Sequence, residues 1–187
     1  MEFVNFGNAG VKVSKIALGL GFREQDSRQE AERVIEHAIY QGINFIDCSN
    51  FYNVGENLSE EILSGILKSH RDDLIITSKV FSDVGNGPND SGSSRYHIMR
   101  EIDRTLSRLK TDHIDVYLLH GYDYDTPLEE TLRALDDLVT SGKIRYAGCC
   151  NFSAWQVCKA LWASDRNRVV PFMCVQNPYN LLGRSLE

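Results

Sequence analysis

Residues 98–120 read IMREIDRTLSRLKTDHIDVYLLH. Ile98, Ile102 and Leu106 recur every four residues and mark one side of a helix. The run then changes character. Residues 115–120 (DVYLLH) are short, apolar and β-rich, with little alternation, the pattern of a strand buried on both faces. A helix that feeds straight into such a strand is part of a βα repeat, and the rest of the chain can be tested against that unit.

Upstream, apolar runs at 15–20 (KIALGL), 44–48 (NFIDC) and 74–80 (LIITSKV) read as strands; downstream, 144–150 (IRYAGCC) and 170–176 (VPFMCVQ) do the same. Helical stripes lie between them: Ala31, Val34, Ile35, Ala38 and Ile39; Leu58, Ile62 and Ile66; Leu128, Leu132, Leu135 and Leu138. Helix starts are signalled by Ser27 with Glu30, Asn57 with Glu60, Thr126 with Glu129 and Ser153 with Gln156, with Pro127 expected at a first helical position. Gly42 and Gly142 are placed to end helices in a left-handed conformation. Strand and helix alternating along the whole chain specify a parallel α/β architecture.

The segment 3–13 (FVNFGNAGVKV) reads instead as a β-hairpin with a Gly/Asn turn, suited to covering one end of the sheet. The longest loop, 82–93, is polar and Gly-rich and is expected to be mobile. Strand starts fall about 31 residues apart, a comfortable βα repeat. A closed eight-stranded barrel takes about 250 residues, whereas residue 187 falls just after the sixth predicted strand. The sheet is therefore either open and six-stranded, or a barrel lacking its last quarter. Residues 1–187 read as one partial domain.

Composition limits the function. Lys+Arg 20 against Asp+Glu 26 gives a net charge of −6, without the basic footprint that nucleic acid requires. No apolar run approaches the roughly 18 residues of a membrane span. The amino terminus lacks a signal-peptide profile. Five cysteines, odd in number and without zinc spacing, read as reduced thiols and point to a cytoplasmic protein. Cys149 and Cys150, adjacent in a strand, face opposite ways and read as core. Trp155, Trp162 and Phe172 read as packing, and His37, His70, His97 and His113 show no metal-ligand pairing.

Parallel α/β proteins place their chemistry at strand ends. Here those ends carry Asp47, Lys79, His120, Asn151 and Gln176, with Tyr52 in the loop after Asp47. Singly, each has a plain structural reading: a cap for Asp47, a snorkelling rim residue for Lys79, packing for Tyr52, a core imidazole for His120, a helix-entry turn for Asn151. Jointly, ionisable groups at the same end of successive parallel strands must converge. A buried lysine needs an anion, and Asp47 is the neighbour to provide it. An ammonium beside a phenol favours the phenolate, which makes Tyr52 a better acid. His120 would orient a carbonyl oxygen beside it. Such a set protonates an oxygen as electrons reach its carbon, which calls for a hydride donor from a cofactor.

Asp47, Tyr52, Lys79 and His120, in that order at those strand ends, resemble the catalytic tetrad of the aldo-keto reductases. GVKVSKIALGLG, GINFIDCSNFY, LIITSKV, IDRTLSRLKTDHIDVYLLHG, LVTSGKIRYAGCCNFS and VQNPYNLLGR are similar to that family throughout. The resemblance implies a (β/α)8 TIM barrel with an N-terminal hairpin over its bottom, here truncated after the sixth strand. It implies reduction of aldehydes and ketones with NADP(H), with Tyr52 as general acid. It also assigns Gly21, Phe22, Asp47, Asn151 and Gln176 to the cofactor. Where relatives usually carry Ser before that Asn, this chain has Cys150. Residues that hold the adenosine phosphate in the family lie mainly after the sixth strand, so a further segment or second chain is expected to complete the barrel. The family also includes potassium-channel β subunits, which leaves a regulatory cofactor-binding role, or an inactive truncated homologue, as alternatives.

Overall fold

The computed structural model describes residues 1–21, 27–54 and 57–187. The hairpin forms from β1 (Phe3–Asn5) and β2 (Lys12–Ser14), paired antiparallel, with Gly7 at φ 55° in its turn. Then follow β3 (Leu18–Gly19), α1 (Arg28–Tyr40), β4 (Phe45–Asp47), the short antiparallel pair β5 (Asn53–Val54) and β6 (Asn57–Leu58), and α2 (Ser59–His70). The chain continues through a 3₁₀ turn (Arg71–Asp73), β7 (Ile75–Val80), α3 (Arg95–Leu109), β8 (Ile114–Leu119), α4 (Leu128–Thr140), β9 (Ile144–Cys150), α5 (Ala154–Asn167) and β10 (Cys174–Gln176).

Six strands make one sheet in the order β10-β9-β8-β7-β4-β3, every pair parallel. This is the truncated barrel: neighbours in the chain are neighbours in the sheet, and β3 and β10 are its edges. No helix among the described residues is long and apolar enough to cross a membrane.

Strand alternation divides the side chains between two faces. On β8, Tyr117 and Leu119 join the large core between sheet and helices, with Ile35, Ile62, Ile102 and Leu135. Val116 and Leu118 face the other way, into a smaller apolar cluster with Phe6, Ile75, Tyr146, Cys150 and Cys174. The hairpin closes the strand-N-terminal end of that concave face, with the Phe6 ring edge-on to Phe45 at 5.5 Å. Asn44 ties it down, accepting from the Ser14 amide at 2.7 Å and donating to the Lys12 carbonyl at 3.0 Å.

Several local expectations shift. The first, second and sixth strands are shorter than their apolar runs, because pairing to a neighbour, not hydrophobicity, ends a strand. Ser27 caps α1, accepting from the Glu30 amide, and Gly42 and Gly142 follow their helices at φ 90° and 76°. Asn57, however, pairs in β6 and Leu58 takes the N-cap position of α2, its amide donating to the Glu61 carboxylate at 3.2 Å. Pro127 is the N-cap of α4 and not its first residue, and the Thr126 hydroxyl is turned away to donate to Asp123 at 2.8 Å. Trp155 and Trp162 are more than half exposed, unlike Phe172, which is buried. Loop 82–93 is tied in place: Arg100 pairs with Asp90 at 2.6 Å, and Asp123 accepts from the Ser93 amide at 2.7 Å.

Candidate active site

The ladder carries the site residues to one rim. Asp47 and Lys79 lie on the concave face with Phe45 and Thr77, because residues two apart on a strand share a side. Cross-strand bonds continue to the top of the sheet: the Leu20 amide donates to the Asp47 carbonyl at 2.7 Å, the Cys48 amide to Thr77 at 2.9 Å, and the His120 amide to Val80 at 2.8 Å. His120, one residue beyond β8, thereby keeps the parity of Val116 and Leu118. The four groups named by position alone therefore meet.

Lys79 is fully buried; its Nζ donates to Asp47 Oδ1 at 2.6 Å and to the Cys48 carbonyl at 3.0 Å. Burial alone lowers the pKa of such an ammonium, but the Asp47 charge, then Tyr52, more than offset it, and Lys79 is held above the ordinary lysine value. It meets Tyr52 at the ring, with Nζ 4.6 Å from the centroid. The Tyr52 hydroxyl is directed at His120 Nε2, 3.5 Å away, with the two rings edge to face. Burial first, and then the Lys79 ammonium, hold His120 below the usual imidazole pKa, so its ring is neutral at neutral pH.

The loop bearing Tyr52 is anchored from two sides. The Ser59 amide donates to the Tyr52 carbonyl at 2.8 Å, and buried Asn50 donates to the Glu101 carboxylate at 3.3 Å. A ring on a loop needs such ties to hold its hydroxyl in register with groups on rigid strands.

Asn151 and Gln176 also reach this rim, at the ends of adjacent strands, joined by the Asn151 amide donating to the Gln176 carbonyl at 3.2 Å. Asn151 is left-handed, at φ 59°, which swings its side chain back so that Nδ2 donates to the His120 carbonyl at 2.8 Å. Gln176 Oε1 accepts from Cys150 Sγ at 3.3 Å. Burial pushes the Cys150 thiol up to about 12, keeping it a protonated donor. Among the described residues Asn151 Oδ1 and Gln176 Nε2 remain without a partner: one acceptor and one donor, the complement of a carboxamide. That pair fits the amide end of a nicotinamide. Gly21 is beside Tyr52; a Cβ there would stand 3.7 Å from the ring. Phe22 lies outside the described residues.

Ser82 was not legible as part of the site; its Oγ is 3.4 Å from His120 Nδ1. A serine in a polar loop carries no signal in sequence. Beside it opens a cavity of about 590 Å³ lined by Phe51, Phe81, Asp83, Asp123 and Asp125 among others.

Comparison with known proteins agrees with this geometry. Residues 15–187 match the model of the Aldo/keto reductase family. The chain is 35% identical over 197 residues to "Uncharacterized oxidoreductase YrpG" of Bacillus subtilis, covering 100% of this chain and 60% of that protein. It is 35% identical over 189 residues to "Probable voltage-gated potassium channel subunit beta" of Arabidopsis thaliana, covering 98% of this chain and 57% of that one. It is 35% identical over 214 residues to "Versiconal hemiacetal acetate reductase" of Aspergillus parasiticus, covering all of this chain and 62% of that one. The chain thus spans about six tenths of the length of these curated relatives. A parallel sheet with Asp47, Tyr52, Lys79 and His120 gathered at one rim, and a family match over most of the sequence, place the chain in the aldo/keto reductase family.

Proposed function

We propose that the rim is a carbonyl-reducing site in which Tyr52 is the general acid. The observation that carries this is the meeting of a buried ion pair, a phenol and a neutral imidazole: Asp47–Lys79 at 2.6 Å, Lys79 on the Tyr52 ring, and Tyr52 3.5 Å from His120. Tyr52 gives its proton to the carbonyl oxygen, and Lys79 stabilises the charge left on the phenolate. Asp47 keeps Lys79 charged and placed. His120 orients the same oxygen through Nε2. A bound reduced nicotinamide dinucleotide supplies the hydride, NADP(H) being the family's habit. Asn151 Oδ1 and Gln176 Nε2 hold its carboxamide, and Gly21 leaves room beside Tyr52.

The substrate enters by the cavity beside Ser82. Its lining includes Asp83, Asp123 and Asp125 and, among the described residues, no basic side chain, so it favours neutral or cationic carbonyl compounds over carboxylates. Edges β3 and β10 offer unpaired backbone groups, and below the rim the concave face between them carries an apolar cluster. Further βα units, from the same or a second chain, cover that face in the active protein and supply the grip on the dinucleotide phosphates.

Turnover of neutral aldehydes with NADPH, followed by loss of nicotinamide absorbance, is the test. Tyr52→Phe lowers the rate roughly 10²–10⁴-fold, the worth of a positioned acid, with dinucleotide binding kept. Turnover within a few-fold of the parent would refute the assignment. Similarity to a potassium-channel β subunit favours one second reading, a cofactor-binding regulatory protein. Fluorescence quenching by NADPH without turnover of any aldehyde would select it.

A further inference from the structure

We propose that Ser82 is a positioning residue that sets the direction of the hydrogen-bonded chain Ser82–His120–Tyr52. The inference rests on Tyr52 as the acid, and it concerns which way that acid's hydrogen points. His120 is contacted at both ring nitrogens, by Ser82 Oγ at Nδ1 (3.4 Å) and by the Tyr52 hydroxyl at Nε2 (3.5 Å). A neutral imidazole carries one hydrogen, so the chain has two polarities. In one, Ser82 donates to Nδ1, Nε2–H donates to the Tyr52 oxygen, and the phenol hydrogen is free to face a carbonyl. In the other, Tyr52 donates to Nε2, Nδ1–H donates to Ser82, and the phenol hydrogen is turned away from substrate. Only the first leaves the phenol O–H free for a carbonyl oxygen and keeps a hydrogen on Nε2 at the same rim.

The surroundings work against the useful polarity. Lys79 lies on Tyr52, on the Nε2 side of the imidazole, and a cation there favours a lone pair facing it and hydrogen on Nδ1. Asp47, hydrogen-bonded to Lys79, offsets part of that charge. A donor at Nδ1 is what reverses the preference. Ser82 has no other hydrogen-bond partner among the described residues, so its hydroxyl is free to donate there.

The backbone holds Ser82 in that role. Phe81 has φ 145°, a conformation L side chains rarely adopt. It is over-determined: its carbonyl accepts from the Gly92 amide at 2.8 Å. Its ring lies on Gly121, where a Cβ would come within 3.0 Å. This turn carries the chain away from β7 and brings residue 82 back over the imidazole.

The test reads the tautomer directly, by long-range ¹H–¹⁵N correlation on the ¹⁵N-labelled chain at neutral pH, with His120 assigned by its loss in His120→Asn. Nε2 should carry the hydrogen in the parent. In Ser82→Ala the ratio of Nε2–H to Nδ1–H should fall roughly fivefold, the order of one neutral hydrogen bond. Ser82→Thr, which keeps the hydroxyl, should restore it, and unchanged backbone amides elsewhere show that each variant is folded. Hydrogen on Nδ1 in the parent, an unchanged ratio in Ser82→Ala, or Ser82→Thr behaving like Ser82→Ala would overturn the proposal. The expected tautomer shift, together with a Tyr52→Phe variant that turns over within a few-fold of the parent in the completed protein, would instead sink the catalytic reading and leave the placement of the His120 hydrogen standing.

Discussion

Replacing Asp47 with Asn strands the Lys79 ammonium. In the parent that group has zero exposure and is satisfied by Asp47 Oδ1 at 2.6 Å and one carbonyl at 3.0 Å. Removing one partner of a buried pair costs about 3–5 kcal/mol, chiefly through the uncompensated charge left behind. Asp47 stands near the rim, its side chain 11% exposed, so the lower end of that range applies, about 3 kcal/mol. The pH dependence gives a sharper signature. In the parent, Lys79 has a raised folded-state pKa, so its contribution is complete below the unfolded lysine value of about 10.4 and fades as pH climbs through the folded one. In Asp47→Asn burial is opposed only by the weaker influences of Tyr52 and Cys48, so the folded pKa drops below the unfolded value and stability rises with pH between the two. Urea unfolding at neutral and mildly alkaline pH, on the parent, Asp47→Asn and Asp47→Asn/Lys79→Met, measures all of this. The double variant removes both charges and should recover most of the loss. A single variant less than about 1 kcal/mol below the parent, with stability flat or falling with pH, would refute the reasoning.

Other perturbations test other links. An NMR titration should place the His120 midpoint below the usual 6.5, so its stabilising share is present above that pH and lost on acidification; Lys79→Met should raise the midpoint only part of the way, because burial is the larger cause. Gly148→Ala should cost about 1–3 kcal/mol in chemical denaturation, since its Cβ would meet Cys174 Sγ and Leu118 at 2.6 Å and the Cys174 carbonyl at 2.8 Å, prising β10 and Gln176 from β9. Arg108→Met should lower stability by about 3–5 kcal/mol, because Glu60, fully buried, would keep only the Ser78 and Thr105 hydroxyls in place of the guanidinium at 2.5 Å; restoration by Glu60→Gln in the same chain would confirm the cause.

The βα alternation was legible because its signals are local. An apolar stripe at every third or fourth residue, or a capping serine three before a glutamate, acts within one turn of helix. The tetrad was legible for a related reason. Once strands are parallel and adjacent in chain order, a charged residue ending one strand must stand beside the residue ending the next, so Asp47, Lys79 and His120 could be placed together from their positions. Capping failed where another partner just as near in sequence competed: Thr126 turned to Asp123, three residues back, and Asn57 was drawn into the β5–β6 pair opposite Val54.

What folding alone decided are contacts across 30 or more residues. Ser82 reaches His120 from 38 residues away, Asn151 reaches the His120 carbonyl across 31, and Glu60 finds Arg108 across 48. That Lys79 meets the face of the Tyr52 ring is equally a matter of where a loop is tied, here by Asn50 and Ser59. A sequence records the type of each side chain and the period of its neighbours. Which hydroxyl turns to which imidazole depends on rotamers and loop paths fixed only when the sheet has assembled around them.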